Sequence, residues 1–266
     1  MNSQRATLNS QLRLTFLGTG TSLGVPTIGC DCEVCLSTDP RDKRLRSSIY
    51  VETSECAWVV DTGVDFRTQA LRENIRRLDA VLFTHSHTDH IMGLDDLRRF
   101  SHERGSLPIY ASAETMRDLA RVFEFAFNGQ NRFPGYLIPD PRIIDGPFQL
   151  GETMVTPLPV PHGRSIVTGF LFSRAGKKLV AYLSDCSAVP DAIVQEIGGV
   201  ELLIIDALRY RPHLTHLTVE QALEVAAKVG PARTLFTHIS HAVGQASEAQ
   251  LPRGVGIAYD GLTVNF

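Results

Sequence analysis

"FTHSHTDHIMG", residues 83–93, places His85, His87, Asp89 and His90 within one short stretch directly behind the apolar run Ala80–Leu82. Grouping imidazoles and a carboxylate where a buried strand ends is costly unless a partner offsets their polarity, and a cation does so. Side chains alternate along an extended backbone, so His85 and His87, two apart, are aimed toward one point. The stretch therefore reads as a metal site built at a strand exit.

The same pattern recurs along the chain. Asp61 follows "WVV", Asp185 follows "VAYLS", Asp206 follows "LLII" and His238 follows "TLFT". Strand ends of a sandwiched sheet converge on one edge, where residues distant in sequence meet on rigid supports. Asp206 reads either as an orienting group or as an ordinary strand-end residue. Between these points the rhythm is that of an α/β protein. "SSIYVE" and "AWVVD" are expected strands, Phe66, Ala70, Leu71 and Ile75 mark one helical face between Asp65 and Arg77, and "DAVLFTH" is a buried strand. Met116, Leu119, Phe123 and Ala126 repeat helical spacing and read as core, not as a cofactor box. "NGQNRFPGYLIPDPRIIDGP", residues 128–147, has the composition of an irregular segment and is a candidate lid. "TGFLFSR" and "KLVAYLSD" form an expected hairpin about "AGK", with "ELLIID" and "RTLFTH" as further strands. Thr218 and Gln221 make a capping box for the helix "VEQALEVAAKV", closed by Gly230 and Pro231. Asp260-Gly261 between apolar runs predicts a final hairpin.

With 266 residues, 43% of them hydrophobic, the chain has enough apolar material for a sizeable core, and one domain over 1–266 is expected. The formal charge of -3, from 26 basic and 29 acidic residues, gives no footprint for a polyanion, which disfavours a nucleic-acid partner. No apolar run approaches the ~20 residues that span a bilayer, and the first residues lack a signal-peptide pattern, so a cytoplasmic protein without a membrane partner is expected. Of the five cysteines, three crowd into "CDCEVC", residues 30–35, too tightly for a disulfide framework and suitably for thiolate ligation of a metal. Cys56 and Cys186 have no such company and read as packing residues.

"THSHTDH" matches the H-x-H-x-D-H signature, and on it the chain resembles the metallo-β-lactamase superfamily. The resemblance continues in order through His162 in "PLPVPHG", Asp185 in "YLSD" and His238 in "FTHISH", with Asp61 in "VVDTG" as the aspartate that orients ligands without binding metal. It implies a four-layer αββα sandwich with two metals at one edge of the paired sheets. Within the superfamily, "TFLGTGTSLGVPTIGCDCEVC" together with "THISH" is similar to the PhnP-type phosphodiesterases that open phosphoribosyl cyclic phosphate in phosphonate breakdown. That narrower resemblance implies a structural zinc on Cys30, Cys32, Cys35 and His241. It also implies a catalytic histidine ahead of a helix, which "PHLTHLTVEQAL" supplies as His216, with His213 as the alternative.

The expected ligand sets are His85, His87 and His162 for one metal and Asp89, His90 and His238 for the other, with Asp185 lending an oxygen to each. Imidazole and carboxylate suit zinc, manganese or iron, whereas three thiolates with an imidazole select zinc in a closed, structural site. Two cations about 3.5 to 4 Å apart lower the pKa of a bridging water, making a hydroxide nucleophile. The expected function is a di-metal phosphodiesterase acting on a small cyclic or nucleotide-like diester, with Asp185 and His216 as catalytic groups and His216 donating a proton to the leaving oxygen. Arg164, Arg209 and Arg211 are candidates for gripping the phosphate. The alternatives are a transfer-RNA 3′-end processing nuclease, a thioester or lactone hydrolase, and a metal-stabilised binding protein without turnover. A homodimer is left open.

Overall fold

The computed structural model describes residues 12–129 and 133–266. Its strands in chain order are β1 (Arg13–Gly18), β2 (Ser48–Glu52), β3 (Ala57–Val60), β4 (Ala80–Leu82), β5 (Leu107–Ala111), β6 (Pro139–Ile143) and β7 (Phe148–Leu150). Then follow β8 (Thr153–His162), β9 (Ser165–Arg174), β10 (Lys177–Leu183), β11 (Leu202–Asp206), β12 (Arg233–Thr237), β13 (Val255–Ile257) and β14 (Thr263–Asn265). They form two seven-stranded sheets, ordered β14-β1-β2-β3-β4-β5-β6 and β13-β12-β11-β10-β9-β8-β7. The described residues resolve into two compact units, one of residues 12–17, 48–129, 133–145 and 261–266, the other of residues 18–47 and 146–260.

In the first unit β3, β4 and β5 run parallel, with Val60 beside Leu82 and Leu82 beside Tyr110. Their carboxyl ends lie along one sheet edge, and Asp61 and His85 leave from it. The apolar stripe of Met116, Leu119, Phe123 and Ala126 is buried as its spacing requires, although it is divided between the helices Ala113–Val122 and Glu124–Phe127. The helix read between Asp65 and Arg77 stops at Arg72, and Leu71 is 65% exposed while Gln69 is buried. The buried residues of this shorter helix are Phe66 and Gln69. The candidate lid is in part regular, because Pro139–Ile143 pairs in parallel with β5 as the edge strand. Residues 130–132 of that segment lie outside the described residues.

In the second unit β10, β11 and β12 are parallel, with Leu183 beside Ile205 and Asp206 beside Thr237. β8 runs antiparallel to β9, and β9 antiparallel to β10, so β8 also ends at the edge from which Asp185, Asp206 and His238 emerge. The hairpin about "AGK" forms as expected, its turn using left-handed Ala175 and Gly176. β8 went unread because three prolines interrupt it. They occupy alternate positions, Pro157, Pro159 and Pro161, past the point where β7 stops pairing at Val155. Their missing N–H groups therefore fall on the open side of the strand, where no ladder needs them.

The capping box is complete: Thr218 Oγ1 accepts from Gln221 N–H at 3.1 Å and Gln221 Oε1 accepts from Thr218 N–H at 2.9 Å. Gly230 closes the helix Val219–Val229 in the left-handed conformation. The final hairpin does not form. β13 pairs in parallel with β12, whereas β14 pairs with β1 of the other sheet. Asp260-Gly261 still turns the chain, with Gly261 left-handed, but Asp260 is committed through its carboxylate, which accepts from Thr19 Oγ1 and Leu45 N–H at 2.8 Å each, and the strands on either side of the turn pair elsewhere and not with each other.

Candidate functional site

In the first unit the signature histidines are built around Asp61. This residue leaves β3 with a positive φ of 63°, a conformation that costs free energy and persists only where its surroundings impose it. Its buried carboxylate accepts from Thr84 N–H, from Thr84 Oγ1 and from His90 Nδ1, each at 2.8 Å. Burial pushes the Asp61 carboxyl up, while His90 and the Thr84 hydrogen bonds pull it back. Thr84 Oγ1, having donated to Asp61, accepts from His85 Nδ1 at 2.9 Å. One carboxylate thus fixes the tautomers of two histidines, directly for His90 and through Thr84 for His85, and leaves Nε2 as the lone-pair nitrogen of each, the atom suited to a cation. The rings of His87 and His90 stand 4.4 Å and 4.2 Å from that of His85, and Asp89 Oδ2 lies 3.2 Å from His90 Nε2. His85, Asp89 and His90 are buried and His87 is exposed. Polar groups gathered this closely suit a cation.

The second unit presents its own set. His162 closes β8 and donates Nδ1–H to Thr215 O at 2.8 Å, again leaving Nε2 as the donor atom. Asp185 Oδ2 is 3.2 Å from His238 Nε2, and His238 holds a positive φ of 56°. Ligand atoms of His162, Asp185 and His216 lie within 4.8 Å of one another. His216 is stacked on His238 with ring centroids 4.6 Å apart and meets His162 edge-on at 4.7 Å. Its Nδ1 donates to Asp206 Oδ2 at 2.7 Å. Asp206 is therefore an orienting partner and not an incidental strand end. Burial pushes its carboxyl well up, against the pull of His238 and of hydrogen bonds from Cys186 N–H and Leu217 N–H. His213 Nδ1 faces Thr215 instead, and burial lowers its pKa.

The thiolate loop closes on one histidine. Cys30, Cys35 and Cys32 Sγ lie 3.1, 3.5 and 3.6 Å from His241 Nδ1. A tetrahedral zinc with its usual Zn–S and Zn–N distances needs S···N edges of about 3.5 Å, so the donor set fits zinc. Desolvation pushes the Cys35 thiol up to about 11, so ligation there displaces a proton. His238 and His241 belong to different sets three residues apart, and between them Ser240 Oγ donates to Leu208 O at 2.8 Å. Cys56 and Cys186 are buried.

The arginines are less closely engaged. Arg164 is exposed at the β8–β9 turn, two residues past His162, and Arg211 is exposed. Arg209 spends its guanidinium on its own loop, donating to Arg211 O at 3.1 Å and Pro212 O at 2.8 Å. Sequence reasoning missed Thr84 and Thr215, which hold His85 and His162. The signal for Thr84 was present: "LFTH" occurs at 82–85 and again at 235–238.

A family model described as the beta-lactamase superfamily domain matches residues 58–239. A Porphyromonas gingivalis octanoyltransferase is 36% identical over 257 residues, covering 94% of this chain and 51% of that protein, so the chain spans about half the length of this relative. Coenzyme PQQ synthesis protein B of Xanthomonas oryzae is 25% identical over 308 residues, covering 95% of this chain and 99% of that one. A crystal structure described as a new diphosphatase from the PhnP family is similar with a TM-score of 0.88 and 41% identity, over 96% of this chain and 97% of that one. The short form of human tRNase Z has a TM-score of 0.70 at 21% identity, over 95% of this chain and 98% of that one, a likeness of fold alone.

Proposed function

Since this chain belongs to the metallo-β-lactamase superfamily, with its fold, and is a PhnP-like metal-dependent hydrolase, we propose that it cleaves a P–O bond at a disubstituted phosphorus in a small cyclic or nucleotide-like phosphodiester. The observation that carries the reading is His216, anchored through Nδ1 by buried Asp206 and packed against His162 and His238. Divalent cations supply Lewis acidity at phosphorus and a water of lowered pKa when bound. The proposed ligands are His85, His87, Asp89, His90, His162, Asp185 and His238, held in orientation by Asp61, Thr84 and Thr215. A structural zinc is proposed at Cys30, Cys32, Cys35 and His241. His216 Nε2 gives its proton to the departing oxygen, and Asp206 stabilises the imidazolium until that moment. Arg164 and Arg211 are proposed to contact the phosphate.

A second reading is favoured by the diphosphatase of the PhnP family, which is 41% identical. In a doubly substituted diphosphate each phosphorus is likewise disubstituted, and the same groups serve. Zinc- or manganese-loaded protein assayed on cyclic phosphodiesters, linear phosphodiesters and a dinucleoside diphosphate separates the two. Turnover confined to thioesters or lactones, or to precursor transfer RNA, overturns both. Within the favoured class, His216→Ala is expected to slow cleavage of an alkyl leaving group about 100-fold while slowing a p-nitrophenyl leaving group far less, because a good leaving group needs little acid. Equal losses on both would remove His216 as the proton donor. Asp89→Ala and Asp185→Ala each lower the measured metal content if ligands are drawn from both sets; an unchanged content in either variant removes that residue.

A further inference from the structure

Away from these histidines, the first unit carries a cavity of about 270 Å³ between the helix Phe66–Arg72 and the helix Arg98–Arg104. Its lining divides by chemistry. Phe66 and Phe100 are buried, Ala70 and Ile75 are partly buried, and Leu71 leaves a large apolar side chain at the rim. The rim also carries Arg67, Arg76 and Arg99 against one carboxylate, Asp96. That is an excess of two positive charges around an apolar hollow, in a chain whose formal charge is -3. The guanidinium charges are poorly compensated. Arg67 faces Asp96 without a close ion pair among the described residues, Arg76 Nε donates to the neutral Asn74 Oδ1 at 2.7 Å, and Arg99 pairs with Glu103 at 2.9 Å. Desolvation at the rim raises the Asp96 carboxyl, with Arg67 opposing it.

We propose that this cavity is a binding site for a small amphipathic anion, its apolar body lying against Phe66, Ile75 and Phe100 and its charged end held by Arg67 and Arg99. An apolar floor gives area-dependent affinity, and a guanidinium rim selects a carboxylate, sulfonate or phosphate over a neutral or cationic head. The cavity is also tied to the signature turn. Thr62 N–H donates to His90 O at 2.7 Å and Gly93 N–H to Thr62 O at 2.8 Å, so both bounding helices start from backbone joined beside His90. Gly93 is required there, since a Cβ would collide with Gly63 O and come within 2.9 Å of Phe66 Cβ.

Calorimetric titration of the full chain with naphthalene-2-sulfonate, a non-hydrolysable probe, tests the site. Binding with Kd below about 1 mM is expected, with 2-naphthol at least about tenfold weaker. Arg67→Glu combined with Arg99→Glu should weaken the sulfonate about tenfold or more while metal-dependent turnover persists, both side chains being exposed and neither belonging to the candidate ligand sets. Ala70→Trp, which fills the hollow without changing charge, should abolish binding. Failure of the sulfonate to bind below 1 mM, naphthol binding as tightly, or undiminished binding in either variant overturns the proposal.

Discussion

Thr84 shows how much of a candidate metal site can rest on a residue that is not itself a candidate ligand. Its hydroxyl donates to Asp61 and accepts from His85, so the carboxylate that orients His90 also orients His85. Thr84→Val preserves shape while removing that link and leaving a buried Asp61 oxygen with one donor fewer. Loss of such an orienting partner typically costs 10- to 100-fold in metal affinity. Chelator competition against the variant should show a loss in about that range; an unchanged affinity would mean that packing alone holds the His85 ring. Both His85 and Asp61 were legible in the sequence, but the hydroxyl bridge of Thr84 between them was not, because Asp61 is distant in sequence.

The helix Val219–Val229 begins three residues after His216 and is nucleated by its capping box. Thr218→Ala should lower stability by about 1 kcal/mol, measured as a shift in urea midpoint with an unchanged slope. A larger loss would mean that the loop 209–217 unravels with it. The thiolate loop is held differently, since Glu33–Leu36 is a single turn without a side-chain cap. With the proposed zinc in place, its order rests on ligation. Removing zinc, or Cys35→Ser, is therefore expected to lower the melting temperature and to expose 30–36 to proteolysis, both reversed by zinc only in the unaltered chain. Hydrophobic spacing sufficed for these elements where period and caps agreed. It failed at Leu71, where the helix stopped a turn early, and at β8, whose prolines are tolerated only because one side of the strand is open.

Across the molecule the largest departure from a simple core is Arg44, 1% exposed and enclosed in the second unit. It donates to Thr19 Oγ1 at 2.9 Å, Ala258 O at 2.5 Å and Gln245 Oε1 at 2.7 Å, joining three segments distant in sequence. Desolvation lowers its pKa to about 10, against the pull of Asp260 and Asp42, so it remains charged at neutral pH. Arg44→Met strands those acceptors and should cost about 3 kcal/mol or more in chemical denaturation; a neutral effect would show that water replaces the guanidinium. No helix among the described residues is long and apolar enough to cross a membrane.

Read alone, the amino-acid order determined the donor inventory, because ligand chemistry is a property of side-chain type and local spacing: three thiols in "CDCEVC", the histidines of "THSHTDH", and polar residues placed where apolar runs stop. It likewise determined most strands and the capped helix, whose periods and caps are local. Tertiary structure alone decided which nitrogen of each histidine is committed, that Asp206 serves His216, and that the strands flanking the Asp260-Gly261 turn pair with β12 and β1 and not with each other. Those outcomes depend on hydrogen-bond partners far away in sequence, and no local pattern specifies a distant partner. Tautomer, orientation and charge at the site follow from the folded sheets, while the chemistry those groups perform was present in their identity.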